Sequence, residues 1–324
     1  MRIIMKRAVS AAIALITLGS TLIASAFEYT DFGYYPVSTV PTNYSVSWFA
    51  PEKYIGFKKH ADFFEIQTEV NGSEMSFYIT LPNIGGFRMT NEKPSDNPES
   101  VEKTGVWEPK SNLGIKYTSV SGEISMQGKD GTVLRFSEKS DSWELTVYDS
   151  EGIKLFSITP EQIYCGYQKD KPVKMKLELP LAAKEVLYGS GERFSGLNLV
   201  GKKTVMWNSD AAYHSTTAGT GEDGISPLWR GYKNVPIFHS NRGYTLFYNS
   251  YCAGEVDAGY TNSKKYTLSF SDPRMDFYLW SGNAAENLVK YTDLTGKSYL
   301  PPKWAFSYWA GNSAVYWAKA SGGA

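Results

Sequence analysis

The sequence predicts an all-β protein, a large antiparallel β-sandwich, on three observations. Apolar residues recur at every second position in short runs, the runs are separated by hairpin-turn residues, and no helical run interrupts them before Asn283. Many short strands without intervening helices pack as two faced sheets rather than as βαβ units.

In chain order, Phe27 to Pro51 is rich in Tyr, Pro, Ser and Thr and reads as an extended lead-in. Met75, Phe77, Ile79 and Leu81 alternate with Ser76, Tyr78 and Thr80, the period of a strand with one buried face. Asn83 to Gly105, with Gly85-Gly86, Pro94 and Pro98, reads as a loop. Ile124 to Met126, Val133 to Phe136, Trp143 to Tyr148 and Ile153 to Ile158 are short strands; Gly128 to Gly131 and Asp149 to Gly152 between them are turn chemistry. Val173, Met175, Leu177 and Leu179 mark another half-buried strand. Val235 to Ser240, Tyr244 to Asn249, Tyr266 to Phe270 and the run Met275, Phe277, Leu279 continue the pattern.

The first helix is expected at Asn283, which caps it, with Glu286 completing a capping box. Leu288, Val289, Thr292 and Leu294 form its apolar stripe, and Gly296 ends it. Pro301-Pro302 then breaks the chain. Trp304 to Trp309 reads as one further buried strand, the first of another domain, whose unpaired edge predicts aggregation.

Composition narrows the function. Lys plus Arg and Asp plus Glu both number 33, so no basic surplus exists to hold phosphates and nucleic acid is excluded as a partner. Aromatic residues make up 15% of the chain, and abundant Trp and Tyr suit the C–H faces of sugars as well as a core. Arg2, Lys6 and Arg7 precede an apolar run from Ala8 to Ile23, and Ala24-Ser25-Ala26 fits a cleavage site. This reads as a secretory signal peptide, with an uncleaved anchor as the alternative, and it predicts an extracytoplasmic protein free of the membrane after cleavage. Cys165 and Cys252 allow either one disulfide or two buried thiols. His60, His214 and His239 are scattered, and neither a metal nor a cofactor is expected; Glu222 and Asp223 read as a solvated loop.

Chemistry concentrates in Val186 to Ala211, VLYGSGERFSGLNLVGKKTVMWNSDA. Its glycines permit tight turns, Glu192, Arg193 and Asp210 bring charge, and Trp207 an aromatic face. Two readings stand side by side: a ligand-binding loop, or a structural hairpin with an internal Glu and Arg pair.

YGSGERF at Tyr188 to Phe194, WNSDA at Trp207 to Ala211, NVPIFHS at Asn234 to Ser240, FYLWSG at Phe277 to Gly282 and LPPKWAFSYW at Leu300 to Trp309 together resemble glycoside hydrolase family 31. The motifs occur in family order from about Val186 to Trp309; before that the resemblance rests on strand pattern. It implies a galactose-mutarotase-like sandwich over 27–297 after the 1–26 signal, then the start of a truncated (β/α)8 barrel over 298–324. It also implies a retaining α-glycosidase acting on α-linked oligo- or polysaccharides, or an α-glucosyltransferase. The two catalytic aspartates would lie in the missing C-terminal barrel, so no catalytic residue is expected in this chain and no turnover by it alone. The family's Asn-x-Asp segment reaches the sugar cleft and matches Asn208-Ser209-Asp210. Asp210 and Asn208 are therefore the expected substrate-binding residues, with Trp207 either walling the sugar or packing, and Asp210 alternatively capping a turn. Glu192 and Arg193 are expected as the partly buried pair at the loop's base. The segment after Trp309 departs from the common family continuation, which leaves Tyr316 and Trp317 without a role. Outside the enzyme class, an autonomous carbohydrate-binding module fits the aromatic content. A mutarotase-like epimerase lacks a convincing histidine and glutamate partnership, His239 being the nearest candidate.

Overall fold

A computed structural model describes residues 45–94, 118–120, 123–193, 195–208 and 231–308. The signal segment, Phe194, Asp210, His214, Glu222, Asp223, Tyr316 and Trp317 lie outside the described residues.

The first strands are β1 (Ser47–Phe49), β2 (Lys53–Lys59), β3 (Phe64–Val70), β4 (Ser73–Thr80) and β5 (Phe87–Thr90). The next five, β6 (Thr118–Val120), β7 (Glu123–Gln127), β8 (Val133–Lys139), β9 (Ser142–Tyr148) and β10 (Lys154–Ile158), form a meander of their own, ordered β10-β9-β8-β7-β6. Then come β11 (Ile163–Gln168), β12 (Lys171–Pro180), β13 (Leu187–Arg193), β14 (Lys202–Met206) and β15 (Gly231–Ser240). The last are β16 (Tyr244–Tyr248), β17 (Gly254–Ala258), β18 (Lys265–Phe270) and β19 (Asp276–Ser281), followed by helix α1 (Ala284–Thr295). One further sheet runs β1-β11-β12-β18-β17-β14 and the largest runs β13-β15-β16-β19-β5-β4-β3-β2. Every ladder between these strands is antiparallel.

The eight-stranded sheet packs on both others. Tyr248 of β16 stacks on Phe270 of β18 at 4.3 Å, while Phe57 of β2 stacks on Phe136 of β8 at 4.2 Å and Phe156 of β10 meets Tyr244 of β16 edge-on at 5.1 Å. One continuous apolar core results, with Phe64, Phe77, Leu134, Leu177, Leu268 and Phe277 all fully buried. A second, smaller core lies on the opposite face, where Ile237, Phe247, Tyr278 and Trp280 pack with Leu294 of α1. Alternate residues of β19 thus serve different cores, and the whole strand is buried although its sequence pattern is that of a half-buried one.

Four sequence expectations change. The region expected as loop from Asn83 to Gly105 contains β5, a fully buried strand. Its Arg88 reads locally as a loop residue, yet Nε and Nη2 donate to the Asp276 carboxylate of β19 at 2.7 and 3.0 Å. A partner 188 positions away leaves no local trace. The stretch Val186 to Ala211, expected as a ligand-binding loop or a structural hairpin, supplies β13 to the large sheet and β14 to the six-stranded one, and the two strands do not pair with each other. Its glycines serve the ladder. Gly189, Ser190 and Gly191 take φ of 117°, 63° and 87° and make a bulge against β15, where a Cβ on Gly191 would lie 1.9 Å from the Lys233 carbonyl oxygen.

The Asn283 cap forms as expected, accepting from the Glu286 N–H at 3.0 Å, and Gly296 ends the helix at φ 96°; the Glu286 carboxylate does not complete the expected capping box. Its buried face differs: Leu288 and Val289 are exposed, and Asn287 is fully buried instead. The Asn287 carboxamide donates to Thr245 Oγ1, the Trp280 carbonyl and the Gly282 carbonyl at 3.1 to 3.3 Å, a polar anchor that an apolar stripe cannot reveal. Finally, the strand expected over Trp304 to Trp309 is absent from its described part. Lys303–Phe306 forms a single 3-10 turn after Pro302, and Trp304, Phe306 and Tyr308 are exposed. A strand needs a neighbour to bond, and none of the described strands pairs with it.

Candidate functional site

Three of the motif stretches, Tyr188 to Arg193, Trp207-Asn208 and Asn234 to Ser240, converge where β13 and β15 meet the exit of β14. Adjacent strand residues point to opposite faces, and this divides Glu192 from Arg193. Glu192 faces out, its carboxylate 58% exposed and 3.9 Å from Lys233 Nζ. Arg193 turns inward. They do not form the pair that their adjacency in sequence implied.

Burial pushes the Arg193 guanidinium down to about 9, and several acceptors surround it. Nε donates to Ser190 Oγ at 2.7 Å and to the Ser190 carbonyl at 3.1 Å; Nη2 reaches the Val205 carbonyl at 3.3 Å and Asn234 Oδ1. Asn234 begins the NVPIFHS strand, and with its oxygen committed to Arg193 its Nδ2 must face the other way. There it donates to Asn208 Oδ1 at 2.7 Å, and the Asn234 main-chain N–H donates to the same oxygen at 2.8 Å. Asn208 also bridges Gly231 through its main chain. A buried cation therefore fixes one carboxamide, which fixes the next.

Trp207 and Asn208 sit at the rim of a cleft of about 390 Å³. Its wall is Met206, Val235, Pro236, Phe247 and Phe270 on the sheet side, and Tyr291 and Thr295 at the end of α1. Asn234, Asn249, Ser250, Tyr251 and Cys252 complete it. Among the described residues the lining includes no charged side chain. Its polar groups are held from behind: Asn249 Nδ2 donates to Asp276 at 2.8 Å, Ser250 Oγ to Asp272 at 2.7 Å, and Thr295 Oγ1 to the Tyr291 carbonyl at 2.9 Å. Tyr251 is 71% exposed at the mouth. The Trp207 Nε1 atom is buried and without a hydrogen-bond partner among the described residues.

Among the described lining residues Cys252 carries the one thiol, and burial pushes it up to about 12, leaving it protonated. Among the described residues no carboxylate lines the cleft. Nor do the described residues gather three His, Cys, Asp or Glu side chains in metal-binding geometry. His239, the other acid–base candidate, is buried under α1 with Nδ1 2.8 Å from Thr245 Oγ1 and its ring stacked on Tyr188. Cys165 and Cys252 are both free thiols. Sequence reading passed over Asn234, Asn249 and Tyr251; the position of Asn234 at the head of a family motif was the one available signal.

Residues 74–257 match the model of the glycosyl hydrolase 31 N-terminal galactose mutarotase-like domain. The chain belongs to glycoside hydrolase family 31. Among its family 31 relatives, an α-xylosidase from Emericella nidulans is 31% identical over 209 residues, 60% of this chain and 24% of the relative. An α-glucosidase from Saccharolobus solfataricus is 33% identical over 149 residues, 44% of this chain and 20% of the relative. The cycloalternan-forming enzyme of Listeria monocytogenes shares the fold at TM-score 0.64 and 19% identity, over 86% of this chain and 26% of that one. These two relatives in sequence are named as glycosidases, and the chain aligns with about a quarter or less of their length.

Proposed function

We propose that this chain is the N-terminal part of an exported, retaining family 31 α-glycosidase acting on α-linked glucosides or xylosides. Residues 1–26 direct export. The sandwich of 27–297 presents the segment from Trp207 to Asp210 to an active site completed by a (β/α)8 barrel that begins at about residue 298. The catalytic aspartates, one attacking the anomeric carbon and one protonating the leaving oxygen, belong to that barrel, with their carboxyl groups roughly 5 Å apart as retention requires. Barrel loops then decide between water and a second sugar as acceptor.

The observation that carries this reading is the Arg193–Asn234–Asn208 chain at the rim of the cleft. It holds Asn208, the first residue of the family's Asn-x-Asp segment, through Oδ1, which leaves Nδ2 as a donor for a sugar hydroxyl two positions before Asp210. The test is the complete gene product assayed on aryl α-glucosides and α-xylosides, with product configuration followed by NMR. Hydrolysis with retention is expected; inversion, or inertness toward every α-glycoside, overturns the proposal. The present chain alone is expected to show no turnover in the same assay.

A further inference from the structure

Helix α1 is seated on the large sheet partly through polar side chains, and these run in a line toward a buried histidine. We infer that Asn287, Thr245 and His239 form a latch that holds α1 on the sheet while the His239 ring is neutral and releases it when the ring gains a proton. Tyr291 and Thr295 of the same helix wall the cleft at Trp207, so the latch sets the position of that wall. This response to acid is built into the fold and does not rest on the function proposed above.

Counting hydrogens decides the direction of each bond. Asn287 is fully buried; its Nδ2 donates to Thr245 Oγ1, the Trp280 carbonyl and the Gly282 carbonyl at 3.1 to 3.3 Å, while Oδ1 accepts from Lys290 Nζ at 2.9 Å. A flipped amide would set its oxygen against two carbonyls and its nitrogen against an ammonium, so this orientation is the stable one. Thr245, also fully buried, stands opposite His239 in the β15–β16 ladder. Its hydroxyl has one hydrogen to give. With Asn287 already donating to it, the partner left among the described residues is His239 Nδ1 at 2.8 Å. Nδ1 therefore accepts, which fixes a neutral ring with its hydrogen on Nε2.

A proton on Nδ1 reverses that last bond. The Thr245 oxygen then faces two donors, and its own hydrogen is stranded in a buried site, which costs free energy. Nor is the new charge met by an opposite one: among the described residues no carboxylate bonds to the ring, and burial lowers the His239 pKa. Tyr188 of β13 stacks on it, and β16 and β19 bring Thr245 and Trp280. On the same turns of α1 as Asn287 stand Glu286 and Lys290, the latter bound to Asp130 of the β7–β8 turn at 2.7 Å. Exposed Glu192 and Lys233 pair farther along the β13–β15 ladder.

The test is hydrogen–deuterium exchange of the full chain by mass spectrometry, reading the amides of α1 from about pH 5 to about pH 7.5. After correction for intrinsic rates, α1 protection should be flat above the ordinary histidine value of about 6.5 and fall roughly tenfold by about pH 5, because the released state binds the proton that the latched one refuses. His239→Gln, which does not titrate, should remove the fall. Thr245→Val keeps His239 and its burial but breaks the relay, so α1 should be less protected at neutral pH with the fall gone. Lys290→Met, which removes the tie to Asp130, should lower protection by a similar factor at every pH and keep the fall. A flat wild-type profile overturns the inference, as does a fall that survives in His239→Gln or in Thr245→Val. Should a variant not fold, the wild-type profile decides by itself.

Discussion

Asn234 aims two donors, its main-chain N–H and its carboxamide nitrogen, at a single oxygen of Asn208, at 2.8 and 2.7 Å. The other end of the same carboxamide accepts from buried Arg193, so the amide has only one sensible orientation. Asn234→Ala removes an acceptor from a buried cation and one of the two donors to Asn208. It should cost about 1–3 kcal/mol by urea unfolding, and Asn208→Ala, at an exposed residue whose loss strands no buried charge, should cost less. The reverse ranking would contradict the order of support described here.

The bulge at Gly189 to Gly191 gives a sharper test of the same strand. Gly191→Ala places a methyl against the Lys233 carbonyl in a backbone conformation that only glycine adopts freely, so β13 must part from β15. A loss of at least about 2 kcal/mol is expected. A neutral effect in thermal or urea unfolding would mean that the bulge is not as placed.

Arg88 and Asp276 form a buried ion pair, with side-chain exposures of 7% and 1%. Asp276→Ala removes the carboxylate that accepts from Arg88 and should destabilise by about 3–5 kcal/mol, whereas Arg88→Met combined with Asp276→Leu should recover part of that loss, since Asn249 Nδ2 loses the same acceptor in both variants. A double-mutant cycle measures both.

These particulars show what was legible in the sequence. Strands with one buried face announced themselves by alternation, and the turns between them by glycine and aspartate; β4, β7 to β10, β12, β18 and the cap of α1 fall where the residues place them. Missing were elements whose logic is non-local. Arg88 makes sense only beside Asp276, Asn287 only beneath Thr245 and Trp280, and GSG only against the backbone of β15. The candidate site was legible as motifs but not as a relay: nothing in the order of residues says that Arg193 speaks to Asn208 through Asn234, or that Glu192 turns away.

Titration of His239 should be visible in stability. Burial lowers its pKa below the ordinary histidine value of about 6.5, while Thr245 and Tyr188 beside it supply no negative charge. The unfolded chain then binds the proton more readily than the folded one, so stability falls as pH drops below about 6.5 and levels off below the folded pKa. His239→Gln should flatten this part of the pH profile in urea unfolding. An unchanged slope would assign it to another group.

Thiol chemistry offers an independent check on burial. Cys165 and Cys252 are pushed up to about 11 and about 12 by desolvation, so both should resist an aromatic disulfide reagent at pH 8 in the folded state and react promptly in denaturant. Fast reaction of either thiol in the native protein would contradict its placement.

The central claim is that the segment from Trp207 to Asp210 binds substrate without performing chemistry, and its most direct test is steady-state kinetics of the complete gene product carrying Asn208→Ala. The expected result on an aryl α-glucoside or α-xyloside is a KM raised roughly tenfold, the worth of a hydrogen bond of about 1.4 kcal/mol, with kcat nearly unchanged. Unaltered kcat and KM on every α-glycoside that the enzyme hydrolyses would contradict it.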